Sequence, residues 1–296
     1  MWPAAERSDR RTLRRVQRPF AQVDVFTTEP YRGNPVAVVL DGSSLSDAQM
    51  QQIAHWTNLS ETTFVLGATD PEADYRVRIF TPVAELPFAG HPTLGTCHAW
   101  LASGGSPRGG GDAIVQECAA GLVRIRRDAD GQLAFSAPPL IRSGPVDEAD
   151  LERVARLLRI DRAAIVDAQW ADNGPGWVAV MLRDAEAVLA VAPGFVEDMD
   201  IGVVGRHSGG GEAQWELRAF FPKDGATVED PVTGSLNASV AQWLLASGHA
   251  TAPYVAAQGT ALGRRGRAHI TQDEDGTIWV GGGTVTCVSG QVELPG

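Results

Sequence analysis

Two dipeptides, Gly90-His91 and Gly234-Ser235, are the first places in this sequence where residue types and spacing could do chemistry. Each follows a strand-like segment ending in Arg-x-Phe-x-Pro, then a loop, and each opens a run that reads as a buried helix. A helix start exposes N–H groups that lack intrahelical partners, at the positive end of the helix dipole, and so can hold an anion. A carboxylate fits there. Taken singly, either dipeptide also meets the needs of simple capping. Two equivalent ones, brought face to face by pseudo-twofold packing, point to one shared cleft. Just ahead of the second, Glu229 and Asp230 stand where acids also complement the dipole. Glu61, in Asn58-Leu59-Ser60-Glu61-Thr62, reads from composition as a solvated acid at the start of an alternating strand.

Other chemistries lack their residues. No G-x-S-x-G surrounds Ser235, which is followed by Leu236 and Asn237, so a serine hydrolase is not indicated. There is no G-x-x-x-x-G-K-[ST], and no G-x-G-x-x-G after a strand. The six histidines show no H-x-x-x-H, and Cys97, Cys118 and Cys287 form neither a CxxC nor a short spacing. The expectation is therefore no metal, no cofactor and no disulfide framework, in a reducing, cytoplasmic setting.

The elements that must position these residues come in duplicate. Val36-Ala37-Val38-Val39-Leu40 recurs as Val178-Ala179-Val180-Met181-Leu182, at an offset of 142. Arg78-Ile79-Phe80-Thr81-Pro82 recurs as Arg218-Ala219-Phe220-Phe221-Pro222, and Leu101-Ala102-Ser103-Gly104 as Leu245-Ala246-Ser247-Gly248. In the first half, β-branched runs bounded by Gly and Pro predict strands at 22–26, 35–40, 62–66 and 76–80. Ser46 with Gln49 reads as a capping box for a helix to about Trp56. A second helix, about Pro92 to Ala102, is apolar around most of its circumference, as is its counterpart containing Leu236, Val240, Trp243 and Leu244. Helices apolar on all sides are buried. The predicted class is α+β: two pseudo-symmetric halves, each a curved, barrel-like sheet wrapped around a central helix, joined near Pro138-Pro139 to Pro145.

Composition sets the outer limits. With 296 residues, 44% hydrophobic and 21% charged, the chain can build two cores of ordinary size. Its apolar runs are far shorter than the roughly 20 residues of a membrane-spanning helix. The net charge of −11 argues against nucleic acid as a partner. Residues 1–18 run against this trend, with six arginines against two acids, and read as a flexible, arginine-rich tail. The expected organisation is that tail, a first half over 19–140 and a second over 141–296, whose last strand can return to the first.

Several blocks, in order, resemble one family. They are Asp24-Val25-Phe26, Gly33-Asn34-Pro35-Val36-Ala37-Val38, Asn58-Leu59-Ser60-Glu61-Thr62 and Phe80-Thr81-Pro82. Then come Glu85-Leu86-Pro87-Phe88-Ala89-Gly90-His91-Pro92, Glu229-Asp230 with Thr233-Gly234-Ser235, and Gln258-Gly259 with Gly263-Arg264. Together they are similar to the phenazine-biosynthesis isomerase (PhzF-like) family. The resemblance implies a diaminopimelate-epimerase-like fold, a homodimer and a cofactor-free site between the halves. It also implies that Glu61 is the acid/base, that His91 and Asp230 orient or polarise the substrate, and that Gly90, Gly234 and Ser235 lie near its carboxylate. Leu236-Asn237-Ala238 depart from the small residues of the phenazine enzymes, and residues 1–18 have no counterpart, which leaves the substrate open.

The expected activity is an isomerase that shifts a proton and a double bond on a small unsaturated or cyclic carboxylate, in secondary metabolism. Two alternatives stand beside it. One is a non-catalytic binder of small carboxylates. The other is an amino-acid epimerase or racemase, which needs two opposed bases; the equivalent helix starts here hold His91 and Ser235, while Cys97 lies inside a helix.

Overall fold

The repeat in the sequence is a repeat of strand connections. A computed structural model describes residues 15–295. The first half comprises β1 (Arg15–Val25), β2 (Asn34–Val39), α1 (Asp47–Thr57), β3 (Glu61–Leu66), β4 (Tyr75–Phe80) and β5 (Glu85–Leu86), followed by α2 (Gly90–Ala102), β6 (Ala113–Cys118), β7 (Gly121–Arg127) and β8 (Leu133–Ser136). The second comprises β9 (Arg142–Pro145), α3 (Glu148–Leu158), β10 (Ile165–Asp172), β11 (Val178–Leu182), α4 (Ala185–Leu189), β12 (Ile201–Arg206) and β13 (Trp215–Lys223). It continues through β14 (Ala226–Glu229), α5 (Gly234–Ala246), β15 (Tyr254–Gln258), β16 (Gly266–Gln272) and β17 (Ile278–Gly282), and β18 (Thr284–Pro295) ends the chain.

β2 runs parallel to β3, β3 antiparallel to β4, and β4 antiparallel to β5 but parallel to β6. β11, β12, β13, β14 and β15 repeat those relations in order. Parallel neighbours need a crossover, and α1 and α2, or α4 and α5, supply it. β8 pairs with β17, joining the halves into one 18-stranded sheet. β9 pairs with β10 and β18 with β1, so the last strand lies against the first.

Burial follows each helix's composition. α2 and α5 each bury nine of thirteen residues, and both pack in the core that fills the two curved halves. α1 lies outside, capped by Ser46 with the reciprocal Gln49 contact, and covers a small cluster of Met50, Ala54 and Phe64. α3 and α4 cover the outer face of the second half. None of the helices among the described residues is long and apolar enough to cross a membrane.

The expected tail extends too far. β1 begins at Arg15, and Arg15 to Arg18 pair with Pro295 to Val292. Arg18 is buried, donating to the Asp41 carbonyl at 2.7 Å and to Ser44 Oγ at 3.0 Å. Its charge therefore ties the strand to the turn after β2. The remaining arginines of that segment, Arg7 to Arg14, lie outside the described residues.

Candidate active site

Among the described residues, three α-helices have side-chain caps, from Ser46, Asp147 and Asp184. The two central helices have none. Ala89 caps α2 and Thr233 caps α5 with backbone alone, and neither first turn contains an acid. Their N–H groups and dipole ends are therefore open toward whatever lies in front of them. They open toward each other: a Cβ on Gly90 would sit 2.9 Å from Gly234 Cα, and one on Gly234 2.8 Å from Gly90 Cα. Only glycine permits that approach. α2 begins at Gly90, so Gly90 and His91 form its first turn, the helix start expected of them.

In front of the paired starts lies a cleft of about 830 Å³ between the halves, lined by Glu61, His91, Asp230, Gly90, Gly234 and Ser235 together. Glu61 opens β3, in register with Val36 of β2. Its Oε2 lies 3.1 Å from His91 Nε2, without the alignment of a directed hydrogen bond. Burial, and then the Asp230 charge, push the Glu61 carboxyl up to about 8 against a smaller opposing pull from Lys223. Burial pushes His91 down to about 3, opposed by the Pro35 backbone. At neutral pH the pair is a protonated carboxyl beside a neutral imidazole.

Asp230 is held by donors on both oxygens. Asn34 Nδ2 donates to Oδ1 at 3.1 Å, and Thr233 Oγ1 donates to Oδ2 at 2.6 Å. Burial raises its pKa, and these two bonds offset only part of the rise. Asn34 also donates to the Val232 carbonyl and lies 3.4 Å from His91 Nδ1, so one amide connects both halves of the site. Gln258 Nε2 donates to the Asp230 carbonyl and to Thr233 Oγ1, while its Oε1 accepts from Thr233 N and Asn237 Nδ2. Ser235 Oγ accepts from Trp177 Nε1 at 3.1 Å.

All six site residues expected from the sequence meet at this cleft. Asn34, Thr233 and Gln258 lie in the family-like blocks with no local sign of a role, and Trp177 and Lys223 carry no sequence signal. Cys97 is buried in α2, its thiol pushed up to about 12 by desolvation, which suits packing and not proton transfer. Among the described residues, no group of three or more His, Cys, Asp or Glu is placed to hold a metal ion.

The fold and the cleft between paired helix starts define a protein of the diaminopimelate-epimerase architecture. Residues 23–290 match the family described as phenazine biosynthesis-like protein (PhzC-PhzF). A fission yeast (Schizosaccharomyces pombe) protein named antisense-enhancing sequence 1 is 35% identical, over 92% of this chain and 97% of its own. The trans-2,3-dihydro-3-hydroxyanthranilate isomerase of Pseudomonas aeruginosa is also 35% identical, over 87% of this chain and 91% of its own. A Bacillus anthracis PhzF-family crystal structure superposes with a TM-score of 0.78 at 22% identity, covering 94% of this chain and 99% of that one, a likeness of fold. The chain belongs to the PhzF-like family, and it is an isomerase.

Proposed function

We propose that this isomerase moves a proton between two carbons of a small unsaturated or cyclic carboxylate without a cofactor, with Glu61 as the single acid/base. The observation that carries the reading is the buried Glu61 carboxyl set 3.1 Å from His91, facing the cleft onto which two uncapped helix starts open. The substrate carboxylate sits at the Gly90 and Gly234 N–H groups, beside Ser235. Because Glu61 rests protonated, it donates first: its proton goes to one carbon of the double bond. The resulting carboxylate then takes a proton from a second carbon on the same face, and that C–H electron pair becomes the new double bond. Glu61 ends protonated, as it began. Asp230 accepts a hydrogen bond from a substrate donor, and His91 Nε2–H donates to the Glu61 carboxylate while the charge lasts.

The Pseudomonas relative named for an unsaturated, cyclic amino acid supports this substrate class. The resemblance to the family supports a homodimer in secondary metabolism, and three free thiols, Cys97, Cys118 and Cys287, support a cytoplasmic setting. Glu61→Gln keeps shape but cannot cycle a proton, so turnover of a dihydro-hydroxy aromatic acid should fall by about 10² to 10⁴ while binding survives. Wild-type enzyme in D₂O should place deuterium on the product carbon. A Glu61→Gln enzyme that turns over at the wild-type rate would end the assignment. Tight binding of the acid with no turnover by either protein would favour the binding-protein alternative.

A further inference from the structure

Lys223 is the only lysine of the chain, beside 24 arginines, and it lines the active-site cleft. The other titratable residues of the lining are Glu61, His91, Asp200 and Asp230, so Lys223 is the one lysine or arginine of the cleft. It is half-buried at the end of β13. Among the described residues, Arg18, Arg78 and Arg218, at buried or half-buried positions, are matched to carboxylates within 4 Å. Lys223 differs: none of the ion pairs or side-chain hydrogen bonds among the described residues involves its ammonium.

The internal repeat sharpens the contrast. Arg78 to Pro82 correspond to Arg218 to Pro222, so the residue equivalent to Lys223 in the first half is Val83. Val83 also lines the cleft and is largely exposed. The shared helix starts treat the two halves alike, whereas these strand ends set an apolar side chain against a cation. A flexible, compact ammonium with three donors suits a ligand that arrives and leaves; a guanidinium fork suits the fixed pairing the arginines here display. At about 830 Å³ the cleft is in the upper part of the range for small-molecule sites and extends beyond the helix starts to the Lys223 end of β13.

We infer that Lys223 binds a second anionic group of the substrate, so that the isomerase acts on an unsaturated dicarboxylate, one carboxylate held at the Gly90 and Gly234 helix starts and the other on the Lys223 ammonium. The inference rests on the carboxylate site described under Proposed function and extends it to the far side of the cleft. It also gives substrate a means of setting the acid. In the free enzyme the Lys223 charge favours loss of the Glu61 proton. An anion seated on Lys223 cancels that influence and leaves Glu61 in its donating form.

Inert ring acids test this by calorimetry at fixed ionic strength, with benzoate as the monocarboxylate and isophthalate as the dicarboxylate. Wild type should bind isophthalate at least about tenfold tighter than benzoate. Lys223→Ala should bring the two within about twofold while benzoate binding stays unchanged, and Lys223→Arg should keep most of the preference. Because the chain has one lysine, acetylation by an N-hydroxysuccinimide ester followed by peptide mass mapping reads the same contact directly: isophthalate should protect Lys223 and benzoate should not. Equal binding of both acids by wild type, or a preference that persists in Lys223→Ala, would overturn the inference and leave the Glu61 reading standing. If wild type binds no benzoate, the carboxylate site at the helix starts fails first, and the dicarboxylate inference falls with it.

Discussion

The Cα atoms of Gly90 and Gly234 pack so closely that a Cβ on Gly234 would run into the backbone of the facing turn, 2.8 Å from Gly90 Cα and 3.0 Å from His91 N. Backbone cannot rotate away, so Gly234→Ala should push the two helix starts apart. The expected cost is about 1–3 kcal/mol in urea unfolding, with loss of benzoate binding. Gly210→Ala, where a Cβ meets nothing within 4 Å, is the control and should change neither.

The pH dependence of turnover should have one limb. In the proposed mechanism Glu61 begins protonated, so kcat/KM should be flat through neutrality and fall tenfold per pH unit above about 8. His91, pushed down to about 3, should leave no limb near the usual histidine range. Lys223→Ala removes a cation that favours the Glu61 carboxylate, so the limb should move to higher pH. A limb that stays put would show that Lys223 does not act on Glu61.

Stability should carry the same signature with a definite sign. A carboxyl whose folded pKa is raised from 4.5 to about 8 favours folding fully below the unfolded value. That contribution is lost as pH rises through the folded value. Glu61→Gln has no charge to bury, so its stability relative to wild type should grow by about 1.4 kcal/mol per pH unit between roughly pH 5 and 8, then level off. Paired melts across that range would show it; a constant difference would mean Glu61 is not buried in its acid form.

Asn34 is the shared donor of the site, bonded to Asp230 and to the Val232 carbonyl. Asn34→Ala leaves those acceptors short and should cost about 1–3 kcal/mol. It should also raise the Asp230 pKa, because a bond to the charged form is lost. Carbon-13 NMR of the Asp230 carboxyl reads the second effect separately from the first.

One ion pair appears in both halves, with different surroundings. Arg218 and Glu229 are nearly buried, at 6% and 10% exposure, and Arg218 also donates to the Val191 carbonyl. Arg78 and Glu85 are the same pair in the first half, at 17% and 35%. Glu229→Ala strands a buried guanidinium and should cost about 3–5 kcal/mol, slackening the strand that leads to Asp230. Glu85→Ala should cost about 1 kcal/mol or less. Thermal melts of the two variants side by side make the comparison.

Features that depend on neighbours in sequence were legible there. Ser46 and Gln49 announced the start of α1, because a capping box closes within one turn. The duplicated Arg-x-Phe-x-Pro and helix-start blocks announced two like halves, because each half folds by the same local rules. Apolar residues on all sides of α2 and α5 announced burial before any partner was known. Resemblance, and not spacing, singled out Glu61, since an acid at the head of an alternating strand looks the same whether solvated or buried. Residues 15–18 were misread because charge suggested solvent, while pairing with β18 is a long-range event that only the closed sheet creates.

Only the tertiary structure decided what the acids are. Glu61, His91 and Asp230 come from β3, the first turn of α2 and the segment after β14, and nothing in their separation along the chain states that they share one cleft. Their proton affinities follow from desolvation and from the charges around them, both of which are set by the packing of the two halves. The same packing leaves Lys223 in the cleft without a carboxylate partner among the described residues. In sequence it was merely the lone lysine, because a charge acquires a partner, or the lack of one, only when the chain closes around it.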